Sequence, residues 1–392
     1  MLRNLRDLPG SLTLSAAVAA LVAVLVGYTG PLLIVVQAAE NAGLDRAQLS
    51  SWIWAITVGS GASALIMSLR YRQPLLAAWP AAGVALLATT LPQYTYAEAI
   101  GAYLVAAVGL IALGWSGLFG RIMDQVPRPI IAGMLAGVLV RFGLALFRAL
   151  PGAPLLVAGM LVTYLLLRRM NVRAPSIGTL GVGLVIAGFS GQLQFDGVTP
   201  ALTVPVWTWP AFSLRALLGL SVPLFILANV SQNAPGLAVL RSFGYQTRPD
   251  GPILITGIIS LLTAPFGGSG LALAAITAAL CVSPEAHPDP DRRYVAGVAY
   301  GFWYILFGLF GATAVTLFAG MPRELIAAVA GLALTGALIA ALTNAMSEPK
   351  ERDGALLAFL CTAADITLLG IGAPFWGLVV GVGANLLLRQ KQ

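Results

Sequence analysis

Two short stretches of this apolar sequence combine helix-breaking residues with small ones. "TAPFGGSGLALAAITAA" runs from Thr263 to Ala279, and "QPLLAAWPAAGVALLATT" runs from Gln73 to Thr90. A helix that begins at such a break leaves its first backbone N–H groups unpaired and points the positive end of its dipole at them. Those groups attract an anion or another polar ligand. The alternative is a pair of proline kinks packed by small residues, which membrane helices tolerate.

Individual residues in the two stretches fit a binding role. Pro80 suits the first position of a helix because it has no N–H to lose. Gly267 and Gly268 let a ligand or a backbone approach closely, and Ser269 is predicted to cap the second half-helix. We therefore expect the charged group of a ligand near Ala81 and Ser269.

A third stretch, "ANVSQNAPGLAVLRSFGY" from Ala228 to Tyr245, places amides where polarity is costly. Gln232 and Asn233 are expected to hydrogen-bond something specific, since buried polar groups need partners. Pro235 and Gly236 are predicted to end the helix. The alternative is that these amides join neighbouring helices.

The composition places these stretches in a membrane. The chain has 392 residues, of which 58% are hydrophobic and 9% charged. Apolar runs of about 20 residues recur, as in an all-α polytopic membrane protein. Two cysteines in apolar runs and one histidine provide neither a disulfide framework nor a metal site. No HExxH motif, Ser/His pair or acidic cluster appears, so neither an enzyme nor a cofactor is expected. The net charge of +7 is read as a topology signal, not as nucleic-acid binding.

Charged, Pro-rich and Gly-rich breaks divide the chain into fourteen apolar segments. They are 11–37, 48–69, 74–91, 97–119, 128–149, 153–169, 174–193, 212–234, 251–264, 267–283, 293–318, 322–346, 353–371 and 373–389. With both termini in the cytoplasm, seventeen Lys and Arg residues fall inside and four outside, a strong positive-inside bias. No cleavable signal is predicted at the basic N-terminus.

Weak internal matches indicate a duplicated seven-segment unit, although chance similarity between apolar sequences is the alternative. The matching anchors are Pro74 with Pro265, Tyr103 with Tyr294, Pro127-Arg128 with Pro322-Arg323, and Ala174-Pro175 with Ala373-Pro374. The units span 1–195 and 208–392. Because seven is odd, the second copy enters the membrane inverted, as in many secondary transporters. Segments 3 and 10 are the two half-helices.

Two charges are predicted within apolar segments. Asp365 is the leading candidate for a proton-coupling group, since a carboxyl group in an apolar setting can load and release a proton. Its alternative is a structural ion pair with Arg141 or another partner. Arg141 could equally attract an anion.

Several stretches resemble the bacterial benzoate/proton symporter family. They are "SQNAPGLAVLRSFGY", "AAITAALCVSPEAHPDPDRRY", "MLAGVLVRFGL" and "GIGAPFWGLVVG". The resemblance covers essentially the whole chain. It implies the fold of nucleobase permeases and sulfate-type anion transporters, with segments 1–4 and 8–11 forming a core domain and segments 5–7 and 12–14 a gate domain. Substrate then binds between the domains, at the half-helices.

The resemblance also implies site residues. Gln232 takes the place of an acidic residue that the wider fold often carries, and an amide there suits an anionic substrate. The substrate ring is then expected against Tyr28, Trp79 and Phe266, with Gln232 and Asn233 at its polar edge.

The sequence departs from the family pattern in two places. "AWPAAGVAL" stands where the family tends to have AWSTPGAAL, and Ala364-Asp365 stands where it tends to have Ser-Gly. Both departures bear on the substrate and leave the expected fold unchanged.

The expected function is import of a small, benzoate-like organic anion with protons across the bacterial inner membrane, by movement of one domain against the other. The expected partners are this anion, protons and the lipid bilayer. A homodimer is left open, because dimers are common in related folds and no interface pattern is present. The alternatives are an uncoupled small-anion facilitator or channel, and a transporter of the same fold for another solute such as a nucleobase.

Overall fold

The apolar runs fold into helices along nearly the whole chain. A computed structural model describes residues 2–29, 31–123, 127–172, 175–194, 202–311, 313, 320–368 and 371–389. The helices are α1 Leu2–Ser11, α2 Leu14–Thr29, α3 Pro31–Asn41, α4 Arg46–Tyr71, α5 Ala81–Thr90, α6 Tyr96–Ser116, α7 Leu118–Met123, α8 Arg128–Ala149, α9 Pro154–Arg169, α10 Pro175–Phe189, α11 Leu214–Ser242, α12 Asp250–Thr263, α13 Ile276–Cys281, α14 Tyr294–Leu309, α15 Arg323–Ala333, α16 Thr335–Ala345, α17 Arg352–Ala363 and α18 Ala373–Arg389.

Two pairs of very short strands interrupt the helices. Strands β1 (Ala77–Ala78) and β2 (Ala272–Leu273) pair antiparallel, although almost two hundred residues separate them in the chain. Strands β3 (Thr367–Leu368) and β4 (Ile371–Gly372) form a local antiparallel pair between α17 and α18. The long-range pair joins the two predicted repeats at the breaks that the sequence analysis singled out.

Each predicted apolar segment overlaps a helix, although the bounds of several differ. The first segment divides into α2 and α3 near Pro31, because proline cannot continue the helical hydrogen bonding. The segment 322–346 divides into α15 and α16. The segment 353–371 leaves the helix after Ala363 and enters the β3–β4 pair. The predicted segment 293–318 ends partly outside the described residues.

Among the described residues, four helices are long and apolar enough to cross a membrane, namely α4, α6, α8 and α11. The bent pair Arg323–Ala333 and Leu338–Ala345 would make a fifth. Several other helices are shorter than a full crossing, so fourteen crossings in two inverted repeats remain a prediction.

The helices of the predicted core segments pack in a reciprocal pattern. Helix α4 of the first half packs on α14 of the second, and α12 of the second half packs on α6 of the first. Glycines allow both contacts. A Cβ on Gly61 would lie 2.6 Å from the carbonyl oxygen of Gly301, and one on Gly114 would lie 2.6 Å from the backbone nitrogen of Leu254. Small residues are how membrane helices approach closely.

A second set of contacts joins the remaining long helices. Helix α8 packs on α15, α16 and α17, while α9 packs on α10 and α17 on α18. Between α2 and this second set lies a narrow apolar crevice with about 190 Å³ of empty volume, lined by Val22, Leu180 and Leu325 among others. The face between the two sets is therefore apolar at this point.

Candidate functional site

The paired strands β1 and β2 lie immediately before the two half-helices. Ala77 pairs with Leu273, and the backbone N–H of Ala274 donates to the carbonyl of Leu76 over 2.9 Å. The hydroxyl of Tyr300 donates to the carbonyl of Ala77 over 3.0 Å and braces β1 from α14. These bonds pair N–H and carbonyl groups of the extended backbone within the apolar interior, where an unpaired polar group would be costly.

The first half-helix begins one residue after Pro80, which the sequence placed at its first position. Helix α5 starts at Ala81, and Pro80 precedes it with extended backbone and no side-chain capping bond. The N–H groups of its first turn have no partner within the helix. Ala81 is partly exposed, so a ligand can approach this helix start.

The second half-helix begins later than predicted. Helix α13 starts at Ile276, seven positions beyond Ser269, so Ser269 does not cap it. The chain first passes through β2, which the sequence analysis did not foresee. The buried hydroxyl of Ser269 instead accepts a hydrogen bond of 3.3 Å from the indole N–H of Trp52.

The glycines before β2 have a structural reason. Gly267 has φ +100°, which favours glycine, and a Cβ there would lie 3.0 Å from the Cα of Trp52. A Cβ on Gly268 would lie 2.6 Å from the hydroxyl oxygen of Thr263. Both residues are buried against protein.

The structure places Phe266 apart from the other two predicted aromatic residues. The Phe266 ring lies 5.5 Å from that of Trp54 and 5.3 Å from that of Trp207, both edge-on. The expectation that it lies beside Tyr28 and Trp79 therefore needs correction. The reason is the left-handed turn at Gly267, which carries the following chain into β2 and leaves Phe266 behind on the side of α4.

Tyr28 and Trp79 meet in a buried aromatic cluster with α14. The Tyr28 ring lies 6.0 Å from Trp79, 5.6 Å from Tyr304 and 6.0 Å from Phe307. The rings of Trp79 and Tyr304 are 5.8 Å apart, and the ring of Tyr300 lies tilted against that of Tyr304 at 4.4 Å. The cluster thus connects α2, the residue pair before α5, and α14 through edge-on and tilted ring contacts, the geometries that aromatic pairs prefer.

The amides of α11 lie on a π-helical turn, Asn229–Asn233. The prediction that the helix ends at Pro235 is wrong. The helix widens in the preceding turn and continues to Ser242. The widening accommodates a proline ring that would clash with the carbonyl four residues earlier. This turn contacts β2 on one side and β4 with α18 on the other, so it spans the two sets of helices.

Gln232 and Asn233 have different environments. The Asn233 side-chain oxygen accepts from the N–H of Leu273 over 2.8 Å, and its nitrogen donates to the side-chain oxygen of Asn229 over 3.0 Å. Asn233 therefore holds β2 in place. The Gln232 side-chain oxygen is buried without a hydrogen-bond partner among the described residues, and so is the indole nitrogen of Trp79.

Comparison with known proteins fits this arrangement. The family model described as "Benzoate membrane transport protein" matches residues 10–387. The chain belongs to this family. It is 40% identical to the benzoate membrane transport protein of Acinetobacter baylyi, over 99% of this chain and 98% of that protein. It is also 40% identical to the inner membrane protein YdcO of Escherichia coli, over 93% of both chains. The resemblance noted in the sequence is thereby confirmed, and the protein is a multi-pass membrane transporter.

A solved structure supports the fold. The structure of SLC26A9 matches 91% of this chain and 65% of that chain, with a TM-score of 0.50 and 12% identity. At this identity the match concerns the fold alone. This benzoate-transport family member therefore has a helical fold of the type seen in that protein.

Asp365 and Arg141 form an ion pair in this family member. Asp365 lies in the turn after α17 with φ +55°, not within a helix as the sequence suggested. Aspartate tolerates this left-handed conformation better than most residues, and glycine adopts it freely. Both side chains remain about half exposed. The pairing of Asp365 with Arg141 corresponds to the structural alternative left open by the sequence.

Sequence reasoning missed the contribution of α14 to the site. Tyr300, Tyr304 and Phe307 are spaced by four and three residues, which places them on one face of a helix. Gly27, just before Tyr28, packs directly against the Tyr304 hydroxyl and the side chain of Thr277 in α13. The spacing of these aromatic residues indicates a shared helix face. It did not distinguish that face from the others, because the segment is apolar on all sides.

Proposed function

We propose that the protein imports a small aromatic carboxylate, benzoate-like, together with protons. The observation that carries this proposal is the buried Trp79 indole N–H, which has no hydrogen-bond partner among the described residues and lies within an aromatic cluster. A carboxylate could accept from this donor while its ring packs edge-on against Tyr28 and Tyr304. Membership of the benzoate membrane transport family and the name of the Acinetobacter relative support the substrate class.

The carboxylate would lie near the start of α5, where the first N–H groups point out of the helix at Ala81. Gln232 would complete the polar edge. Its amide oxygen and nitrogen can exchange places by rotation, so the side chain can donate to an anion as well as accept.

Movement of a core domain against a gate domain would expose this site alternately on the two sides of the membrane. The proposed core is α1–α6 with α11–α14, and the proposed gate is α8–α10 with α15–α18. The reciprocal packing of α4 on α14 and of α12 on α6 supports a core that moves as one body. The apolar crevice beside α2 supports the proposal that the core has an apolar face along which it can slide against the gate.

Asp365 is the proposed proton carrier. A proton on its carboxylate would remove the attraction to Arg141, so loading and release could alternate with opening and closing of the ion pair. Asp365 lies just before β3, which pairs with β4, and β4 contacts the π-helical turn that carries Gln232. A change at Asp365 would therefore act close to the substrate site.

The test is uptake of radiolabelled benzoate into proteoliposomes with and without an inward proton gradient. We expect saturable, gradient-stimulated uptake. A Trp79→Phe variant keeps the ring and removes the donor, and KM should rise about tenfold, the loss of one hydrogen bond to a charged group. Trp207→Phe, in the separate cluster with Phe266, is the matched control and should leave KM unchanged. Uptake that saturates without any gradient effect would instead indicate an uncoupled facilitator.

A further inference from the structure

A large cavity, which none of the residues of the aromatic cluster lines, lies at the ends of several helices. Its volume is about 920 Å³. One wall is formed by the end of α6 and by α7, with Gly117 and Arg121, and by the loop that leads into α12, with Arg248 and Asp250. The start of α8, with Arg128, also lines the cavity. The cavity therefore lies between the two sets of helices.

The charge of the lining is strongly positive. Four arginines, Arg121, Arg128, Arg241 and Arg248, face two carboxylates, Asp250 and Glu351. Arg241 and Glu351 already have interactions with other residues. Arg121, Arg128 and Arg248 are exposed, and within the described ranges none of them has an ion-pair partner.

Of the two lining carboxylates, Asp250 makes no ion pair with the arginines among the described residues. Asp250 lies against Gly120, where a Cβ would be 3.2 Å from its carboxylate oxygen, and against Gly117. That oxygen is buried and has no hydrogen-bond partner among the described residues. The arginines contribute planar forks of N–H donors whose natural partner is a tetrahedral or planar oxyanion.

The position of the cavity narrows the choice of anion. Helix α6 ends at Ser116 and helix α8 begins at Arg128, and both are long and apolar enough to cross a membrane. The ends of such helices would lie near the lipid phosphates. The positive-inside bias places these residues on the cytoplasmic side, and basic pockets between helices on that side are suited to phosphate-bearing headgroups. A single carboxylate would occupy only a small part of 920 Å³ and engage one fork.

We propose that this cavity binds a phosphate-bearing anion through Arg121, Arg128 and Arg248, and that the bound phosphate bridges the two sets of helices. The ligand is either the headgroup of an anionic phospholipid or a soluble phosphate compound. The proposal is independent of the transported substrate.

The experiment measures the thermal unfolding temperature of the purified full-length chain in maltoside micelles. Three additions are compared at matched ionic strength: phosphatidylglycerol, inorganic phosphate and benzoate. The variant is Arg121→Gln/Arg248→Gln, and the matched control is Arg169→Gln, which removes an exposed arginine of α9 outside the cavity. Arg121→Lys and Arg248→Lys keep the charge and remove the fork, and they serve if the double variant does not fold.

We expect stabilisation of the wild type by phosphatidylglycerol or by phosphate, with apparent affinity reduced about tenfold or more in the glutamine variant. Arg169→Gln should retain the full effect. A shift with phosphatidylglycerol alone assigns a lipid headgroup, and a shift with phosphate alone assigns a soluble ligand. The proposal is overturned by no shift with either, by an equal shift in the variant and the wild type, or by a shift with benzoate only.

Discussion

The side-chain oxygen of Asn233 accepts a 2.8 Å hydrogen bond from the backbone N–H of Leu273, and so ties the π-helical turn of α11 to β2. A Cβ on Gly236, one turn further along α11, would lie 2.8 Å from the Cβ of Leu273. The second half-helix is therefore positioned from α11 through its preceding strand. Any movement of α11 is transmitted to the backbone just before α13.

Asn233→Leu should destabilise the protein, because the buried N–H of Leu273 would lose its acceptor. We expect a cost of about 1–3 kcal/mol and a lower unfolding temperature, with uptake falling in proportion to folded protein. Asn233→Asp keeps an acceptor for Leu273 and is the comparison. The measurement is thermal unfolding by intrinsic fluorescence. An Asn233→Leu protein of unchanged stability would show that β2 is held by other bonds.

Gln232→Ala should behave in the opposite way, because its side-chain oxygen has no hydrogen-bond partner among the described residues. The unfolding temperature should stay within a degree or two of the wild type, while the KM for benzoate rises about tenfold. Gln232→Glu should reduce uptake further by repulsion between like charges. The two kinetic constants are measured in proteoliposomes, and an unchanged KM would remove Gln232 from the site.

Asp365→Asn isolates the charge of the ion pair, since asparagine also tolerates the left-handed backbone at this position. If Asp365 carries the proton, stimulation by the gradient is lost while exchange of labelled for unlabelled benzoate continues. Arg141→Gln and the double variant complete a cycle. Equal losses of exchange and of gradient-driven uptake, restored in the double variant, would instead assign the pair a structural role.

We expect the stability of the protein to depend on pH through the carboxyl group of Glu285. It accepts hydrogen bonds from Ser176 over 3.1 Å and from Tyr164 over 3.3 Å, between the loop after α13 and helices α9 and α10. Burial raises the pKa of this carboxyl group above its usual 4.5, against the opposing effects of these bonds and of Arg168. A raised folded-state pKa means that stability from this group is present at low pH and is lost as pH rises through that value.

Glu285→Gln mimics the protonated form. Its unfolding temperature should therefore change less between pH 4 and pH 7 than that of the wild type, and should equal or exceed it at pH 7. The measurement is a series of thermal unfolding curves across this range. A variant that is less stable than the wild type at pH 7 would show that the charged hydrogen bonds outweigh burial.

The sequence by itself determined where most of the helices lie and located the break before the first half-helix. The apolar runs can satisfy their backbone in a membrane only as helices, so their ends at charged and Pro-rich positions follow from composition. The α8 bounds, Arg128–Ala149, coincide with the predicted segment, and α5 begins at Ala81, one residue after Pro80, which was expected at its first position. Family membership also followed from short stretches of residues.

Only the tertiary structure decided which side chains meet. Gln232 and Asn233 are neighbours in sequence, yet about 100° of helical rotation separates them, and the π-helical turn alters that rotation further. One side chain has a partner in β2 and the other has none among the described residues. Similarly, Phe266 and Ser269 lie on either side of the turn at Gly267. Phe266 contacts Trp54 and Ser269 contacts Trp52, whereas Tyr304 packs beside Tyr28. Such encounters depend on packing between distant segments, which no local pattern in an apolar sequence specifies.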